Sequence, residues 1–293
     1  MTGVQTCALR SEFASISAYL SSQNSIDLST LLRFPDVPSD AFAQRAVVTW
    51  DRRDNAFNPH KGTFLVSGFE HTDWFGECSE AQGTGGCAAS GKPSVGVPFG
   101  HTVRFTETFA FYVPVTNKIT LAAELRSGVN IQLYPTSASA TYPDRLFFLG
   151  GFQSVRGYQQ DSMITQEDAN HIATDASGIR SAFRPRPFTI QQVAIRGGNF
   201  MFNPKIELRI PVVSPLATVL FVDAGNIWAN TNDVFGPGFN LRTTVGTGIR
   251  LETPIGPLAL DGGINMSRFF AASGDPRRSY EDFGAVHFAI GLF

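Results

Sequence analysis

The feature that most constrains this chain is a two-residue alternation of side-chain character, which begins near residue 45 and returns in segments of about ten residues. Segment 118–126 shows the pattern well, since apolar residues occupy every second position. One set is Ile119, Leu121, Ala123 and Leu125, and the other is Thr120, Ala122, Glu124 and Arg126. Successive side chains of a β-strand point to opposite faces of its sheet, so the pattern predicts strands with one apolar and one polar face.

The connections between these segments alternate in length. Strands are predicted near residues 45–54, 63–72, 102–113, 118–133, 199–210, 217–229, 242–253, 258–270 and 283–293, with a further one at about 12–28. Short turns at 55–62, 114–117, 211–216 and 254–258 alternate with longer connections at about 73–101, 136–198, 230–240 and 271–282. Such asymmetry is typical of an outer-membrane barrel, and nothing in a soluble β-sandwich enforces it. The sequence therefore predicts an all-β, transmembrane antiparallel β-barrel with its apolar face in lipid.

The composition argues against several other classes of protein. Only 16% of the residues are charged, and no uncharged apolar run approaches the ~18 residues of a membrane helix. A net charge of -2 gives no electrostatic basis for binding nucleic acid. The five histidines are dispersed without metal-ligand spacing, and Ser154 lacks the flanking glycines of a nucleophile elbow. The sequence thus predicts no catalytic, metal or cofactor site.

The longest connection contains an arginine that needs an acidic partner. Arg156 lies in segment 150–158 (GGFQSVRGY), between two turns with aromatic neighbours. Glu207 in KIELR and Asp223 in FVDAG both fall on the polar side of their predicted strands. A guanidinium group offers a planar fork of donors that suits carboxylates, although a solvated loop arginine is the alternative.

Several motifs in order resemble the Omp85 superfamily of BamA/TamA-like outer-membrane assembly and secretion barrels, with the bacterial surface antigen domain. Segment 51–62 (DRRDNAFNPHKG) is similar to the family's turn before a barrel strand, and 155–158 (VRGY) to its VRGF/Y loop tip. Glu207, Asp223 with Gly225, the turn 254–258 (PIGPL) and the terminal Phe293 follow in the family's order. The resemblance covers about residues 45–293 and implies about ten C-terminal strands of a barrel of about sixteen.

The resemblance also implies roles for individual residues. The loop would fold back into the barrel lumen, where Arg156 would pair with Glu207 and Asp223. The remaining residues of the loop motif are Gly150, Gly151, Val155, Gly157 and Tyr158, of which the glycines would permit a tight backbone. The last predicted strand resembles the β-signal by which outer-membrane proteins are recognised for assembly, with Phe288, Ile290, Gly291 and Phe293 as its residues.

By the same resemblance, the protein would insert and fold other β-barrel proteins in the bacterial outer membrane without a cofactor. Its partners would be outer-membrane lipid, unfolded β-barrel substrates and, as further candidates, accessory lipoproteins or periplasmic chaperones. The alternatives are a secretion pore of the two-partner type and a passive outer-membrane barrel.

Two expectations concern the ends and the cysteines of the chain. Residues 1–11 are expected to be an artefactual leader, because Thr2–Leu9 reads like a translated sequencing adapter, and 12–293 a partial barrel domain. The resemblance implies that periplasmic POTRA domains and about six opening strands would precede it in a complete protein. Cys78 and Cys87 are expected to form a local disulfide in an oxidising compartment, with two unpaired thiols as the alternative.

Overall fold

Nine antiparallel strands form a single sheet in which the spatial order follows the chain order. The computed structural model describes residues 39–56, 58–76, 100–133, 141, 145–167, 169, 197–231, 234, 239–251, 253, 258–273, 275, 278 and 281–290. The strands are β1 (Ser39–Asp51), β2 (Gly62–Gly76), β3 (Gly100–Pro114), β4 (Thr120–Gln132), β5 (Phe200–Val213), β6 (Leu216–Trp228), β7 (Arg242–Leu251), β8 (Leu258–Asn265) and β9 (Gly284–Ile290). The predicted all-β antiparallel architecture is confirmed, while the strand predicted at 12–28 lies outside the described residues.

Alternation assigns each strand residue to one of two faces. Register places Ile206 beside Val222 and Leu260 beside Phe288 on what we call the outer face. These four side chains are 45–65% exposed, with Val222 at the lower limit and Phe288 at the upper. The opposite, inner face carries charged residues, among them Glu124, Lys205 and Asp223, which are aligned across β4, β5 and β6. The apolar side of this sheet is therefore its exposed side.

The core lies on the inner face, beneath the connection between β4 and β5. The described part of that connection, 145–167, runs back over the sheet. Phe147 in this part and Gly198, just before β5, exchange two backbone hydrogen bonds of 2.9 Å each. The buried apolar cluster combines this connection with two strand residues. Its members are Phe147, Leu149, Val155, Tyr158, Met163, Met201 and Ile227. The loop is thus a packed part of the domain.

The lengths of the connections follow the predicted alternation. Short connections occupy 52–61, 115–119, 214–215 and 252–257, and long ones occupy 77–99, 133–199, 229–241 and 266–283. Every short connection consequently lies at one end of the strands and every long connection at the other.

Several strand ends differ from the prediction, since β1 begins at Ser39, β2 runs to Gly76 and β5 runs to Val213, and β8 differs most clearly in structure. β8 was expected to run to about residue 270, but it ends at Asn265 and is followed by the helical turn α1 (Met266–Phe269). The Asn265 side chain accepts a hydrogen bond of 3.2 Å from the Arg268 backbone N–H, which caps this turn and ends the strand. Across the residues described, no helix combines the length and the apolar character needed to cross a membrane.

Candidate functional site

Two glycines fold the inner-face loop into a closed turn. Gly150 and Gly151 have φ angles of +114° and +100°, in the left-handed region that favours glycine. A Cβ atom on Gly150 would lie 2.3 Å from the carbonyl oxygen of Gln159. The Gly151 N–H donates to the Tyr158 carbonyl at 3.1 Å, so the turn closes on itself. This closure presents Arg156 at the tip of the loop.

Arg156 contacts three carboxylates on three strands. Its Nε and Nη2 donate to the two oxygens of Asp223 at 2.8 Å each, as a bidentate pair. Its Nη1 donates to Glu207 at 2.7 Å and to Asp261 at 3.0 Å. The Arg156 backbone N–H adds a bond of 3.1 Å to Asp223. One side chain therefore joins the loop to β5, β6 and β8.

Two further arginines complete a charge-balanced cluster, which we call the Arg156 network. Arg250 forms a bidentate pair with Asp261 and approaches Glu207 at 3.5 Å, and Arg209 donates to Glu207 at 2.9 Å. The network has three guanidinium groups and three carboxylates, namely Arg156, Arg209, Arg250, Glu207, Asp223 and Asp261. Asp223 and Asp261 are fully buried, and buried charges are tolerated when each has a well-placed opposite charge.

The surroundings of Arg156 fix its position further. Its guanidinium carbon lies 3.5 Å from the centre of the Phe221 ring, a cation–π contact. A Cβ atom on Gly263 of β8 would lie 2.8 Å from the Arg156 carbonyl oxygen. Nε2 of His287 on β9 is 3.0 Å from that same oxygen. Burial would lower the pKa of Arg156, but the hydrogen bonds and charges of Asp223 and Glu207 outweigh it and raise the pKa, so the group stays charged.

A second polar cluster holds Tyr158. The Tyr158 hydroxyl donates to Glu281, which also accepts from Asn265 at 2.7 Å and pairs with Arg242 at 3.2 Å. Burial, together with the negative charge of Glu281, raises the pKa of the Tyr158 hydroxyl well above its usual value. Asp282 accepts from the Ser162 hydroxyl at 2.7 Å. The loop is therefore tied to the β8–β9 connection as well as to the strands.

The other residues predicted from the sequence are not members of the Arg156 network or of the Tyr158 cluster. Val155 is completely buried in the core, and Gly157 packs so closely on β7 that a Cβ atom would lie 2.4 Å from Thr244 Cγ2. Phe288 and Ile290 point away on the outer face and are 65% and 54% exposed. The remaining predicted positions, Gly291, Phe293, Cys78 and Cys87, lie outside the described residues.

Sequence reasoning missed half of the network. The three missed residues lie on the inner face of strands with the two-residue alternation, as Glu207 and Asp223 do. They are Asp261, Arg250 and Arg209. The sequence pattern that could have identified them is a charged residue on the polar side of a strand with the two-residue alternation. The register between strands decides which of these charged side chains lie next to each other. The alternation within one strand does not predict that register.

Comparisons with known proteins identify the family. A sequence model of the Omp85 superfamily domain matches residues 22–292. Among the curated proteins, no sequence gives a match. The fold is similar to the structure of BamA from Haemophilus ducreyi lacking POTRA domains 1–3, with a TM-score of 0.56 and 18% identity over 84% of this chain. CdiB from Acinetobacter baumannii gives a TM-score of 0.48 and 11% identity over 85% of this chain.

The matched region is a part of each larger structure. It amounts to 41% of the Haemophilus ducreyi BamA chain and 32% of the CdiB chain. The match to the superfamily domain, in contrast, spans nearly the whole of this chain. The chain therefore belongs to the Omp85 superfamily of β-barrel proteins of the bacterial outer membrane.

Proposed function

We propose that this chain is the membrane domain of an assembly factor that inserts and folds β-barrel proteins into the outer membrane. The observation that carries the proposal is the loop held by the Arg156 network, which joins β5, β6 and β8 through one buried side chain. Membership of the superfamily and a fold similar to that of BamA support it. A passive barrel has no need for a loop fixed by three buried ion pairs.

In this proposal, an incoming substrate strand pairs with the edge of β9, the strand next to β8. β9 pairs through seven residues with β8, and within the described residues its other edge has no strand beside it. Unpaired N–H and C=O groups of an edge strand are a template for an incoming strand. An unfolded β-barrel substrate would add its strand to such an edge, while outer-membrane lipid covers the exposed side chains of Val286, Phe288 and Ile290.

The Arg156 loop would keep that edge in place during the exchange. The network fixes β8 through Asp261, and the contact of His287 with the Arg156 carbonyl reaches β9 itself. Strand addition needs only backbone hydrogen bonds, so the proposed activity consumes no cofactor. Accessory lipoproteins and periplasmic chaperones are proposed partners of the complete protein.

Replacing Arg156 by Ala in cells that depend on this gene tests the proposal. We expect the amount of folded outer-membrane barrel proteins to fall when the variant and the wild type are compared at equal amounts in the membrane, since the variant itself is less stable. Arg126→Ala is the matched control, because Arg126 also contacts the loop, through the Gln153 carbonyl at 2.8 Å, but is 31% exposed. Full assembly with Arg156→Ala at normal levels would refute the role. Loss of one secreted protein with normal barrel assembly would instead indicate a secretion pore.

A further inference from the structure

Two histidines that are far apart in the sequence lie side by side at the end of β2 and β3 nearest the long connections. His71 and Asp73 belong to β2, and His101 of β3 stands directly opposite Asp73 in the register. The Nε2 atoms of His71 and His101 are 3.3 Å apart, and Nε2 of His71 is 3.7 Å from Oδ1 of Asp73. Nδ1 of His101 contacts the same carboxylate oxygen. Three groups that commonly bind metals thus converge on one small space.

We propose that His71, Asp73 and His101 form a binding site for a divalent transition-metal ion, with Zn²⁺ as its best representative. Two imidazoles and one carboxylate are ligands that suit this class of ion. Ligand atoms about 2.1 Å from a tetrahedral zinc ion are about 3.4 Å from each other. The 3.3 Å between the two Nε2 atoms and the 3.7 Å from His71 Nε2 to Asp73 Oδ1 are close to that value. Asp73 faces Nδ1 of His101, so the His101 ring must rotate for its Nε2 and Asp73 to bind the same ion. Three protein ligands leave the fourth position to water.

The surroundings make the site both fixed and accessible. Its residues share the outer face with Phe69 and Phe105, the next pair along that face, whose rings meet edge to face 5.2 Å apart. Each of the three side chains is 23% exposed, and the site lies at the strand ends beside the long connection, at the edge of the lipid-covered face, where an ion can reach it from solution. The backbones belong to paired strands, which hold the donors of β2 and β3 in register. Metal binding takes neutral imidazoles and an ionised carboxylate, so the carboxylate is the charged ligand among the three.

An ion at this position would cross-link two strands at the margin of the apolar outer face. Anything that binds only the folded state stabilises that state in proportion to the logarithm of its concentration. We therefore infer that zinc stabilises the β2–β3 hairpin near the end where the long connection 77–99 joins the two strands. This inference is independent of barrel assembly, since the three residues lie on the outer face of β2 and β3 and the Arg156 network lies on the inner face over β5 to β8.

Titration of the full chain in detergent micelles with ZnCl₂ tests the site, with the heat of binding as the readout. The protein should carry no histidine tag, and Cys7, Cys78 and Cys87 should be replaced by Ser so that thiols supply no ligand. We expect one ion per chain, and a loss of affinity of more than about tenfold in each of His71→Ala and His101→Ala. Asp73→Asn should weaken binding too, because it removes the negative charge.

His60→Ala is the matched control, since His60 is an exposed histidine in the β1–β2 connection, and it should leave the affinity unchanged. Circular dichroism should show the same strand content in every variant. A visible absorption spectrum of the Co²⁺-loaded chain should show the strong bands of a four-coordinate ion, and these bands should disappear in His101→Ala. Substoichiometric binding of zinc, or an affinity that His71→Ala, His101→Ala and Asp73→Asn all leave unchanged, would refute the proposal.

Discussion

The buried position of Arg156 explains why the residue must be arginine. Its planar fork engages both oxygens of Asp223 from one edge while its Nη1 reaches Glu207 and Asp261 from the other. Lysine, with one ammonium group, cannot reproduce a bidentate contact together with two further carboxylates. The network is neutral as a whole, so removing any one charge leaves an uncompensated charge in a buried place.

Replacement of Arg156 should therefore cost much more stability than replacement of a more exposed arginine. We expect Arg156→Ala to lower the free energy of unfolding by about 3 to 5 kcal/mol. Arg156→Lys should recover only part of this loss. The measurement is denaturant unfolding of the chain in detergent micelles, followed by fluorescence. Arg126→Ala, the control, should cost less than about 1 kcal/mol because Arg126 is 31% exposed. Equal losses for the two alanine variants would contradict the network.

Tyr158 offers a test that depends on pH. Tyr158→Phe removes the donor to Glu281 and should cost about 1 to 3 kcal/mol at neutral pH. Burial and Glu281 raise the pKa of the Tyr158 hydroxyl in the folded state, so between the unfolded pKa of about 10 and that higher value the folded state binds more protons. The stabilisation that Tyr158 gives to the folded state is complete below about pH 10 and is lost as the pH rises further.

Unfolding of wild type and Tyr158→Phe at a series of pH values from 7 to above 10 provides the measurement. The difference in stability between the two proteins should be constant up to about pH 10 and then shrink. A difference that stays constant above this pH would show that Tyr158 titrates normally and is not held by Glu281.

At the scale of the elements, alternation predicts the strands but not how they meet. The segments 118–133 and 199–210 are predicted from their own residues; β4 lies within its predicted bounds, whereas β5 runs on to Val213, into the predicted turn. Strand ends were less accurate, because they depend on local capping such as that of Asn265. The path of the loop is set by contacts 51 to 105 residues away along the chain, and a local pattern contains no information about them.

Two neighbouring glycines of β8 test how closely the loop lies on the sheet. A Cβ atom on Gly263 would lie 2.8 to 3.0 Å from backbone atoms of Arg156 and Gly157, whereas a Cβ atom on Gly262 would have nothing within 4 Å. Gly263→Ala should lower the free energy of unfolding by about 1 to 3 kcal/mol, because the loop backbone must move. Gly262→Ala should change it by less than about 0.5 kcal/mol.

Hydrogen exchange gives the second measurement for this pair. The Tyr158 and Gly151 amides, which are bonded inside the loop, should exchange faster in Gly263→Ala than in Gly262→Ala. If both variants behave like the wild type, the loop does not rest on β8. The two substitutions add the same methyl group to opposite faces of the same strand, and the one on the inner face meets the loop backbone.

The whole molecule has an inverted distribution of side chains. Its inner face contains the Arg156 network and the polar cluster around Tyr158, and its outer face exposes large apolar side chains on every strand from β1 to β9, such as Trp50, Phe109, Leu220 and Phe288. A soluble protein rarely exposes so much contiguous apolar surface. Lipid removes the cost of this exposure, and the alternating short and long connections fit the two sides of one membrane.

Two tryptophans report on this arrangement. Trp50 is on the outer face and 53% exposed, whereas Trp228 is 1% exposed and stacks on Phe239 at a centroid distance of 5.4 Å. One variant should keep only Trp50 and another only Trp228, with Phe at the remaining tryptophan positions, including Trp74. Each variant is then inserted into vesicles whose acyl chains carry bromine. We expect the bromolipid to quench Trp50 by at least about twofold and Trp228 much less, because only Trp50 touches the acyl chains.

Iodide in the aqueous phase provides the opposite control, since it quenches residues that face water. Trp50 should be protected from iodide once the chain is inserted and quenched by it when the chain is unfolded in denaturant. Iodide quenching of Trp50 in the vesicles, with no effect of the bromolipid, would place the outer face in water. The exposed apolar face would then have to be covered by protein, because nine strands that display it to water would associate through it.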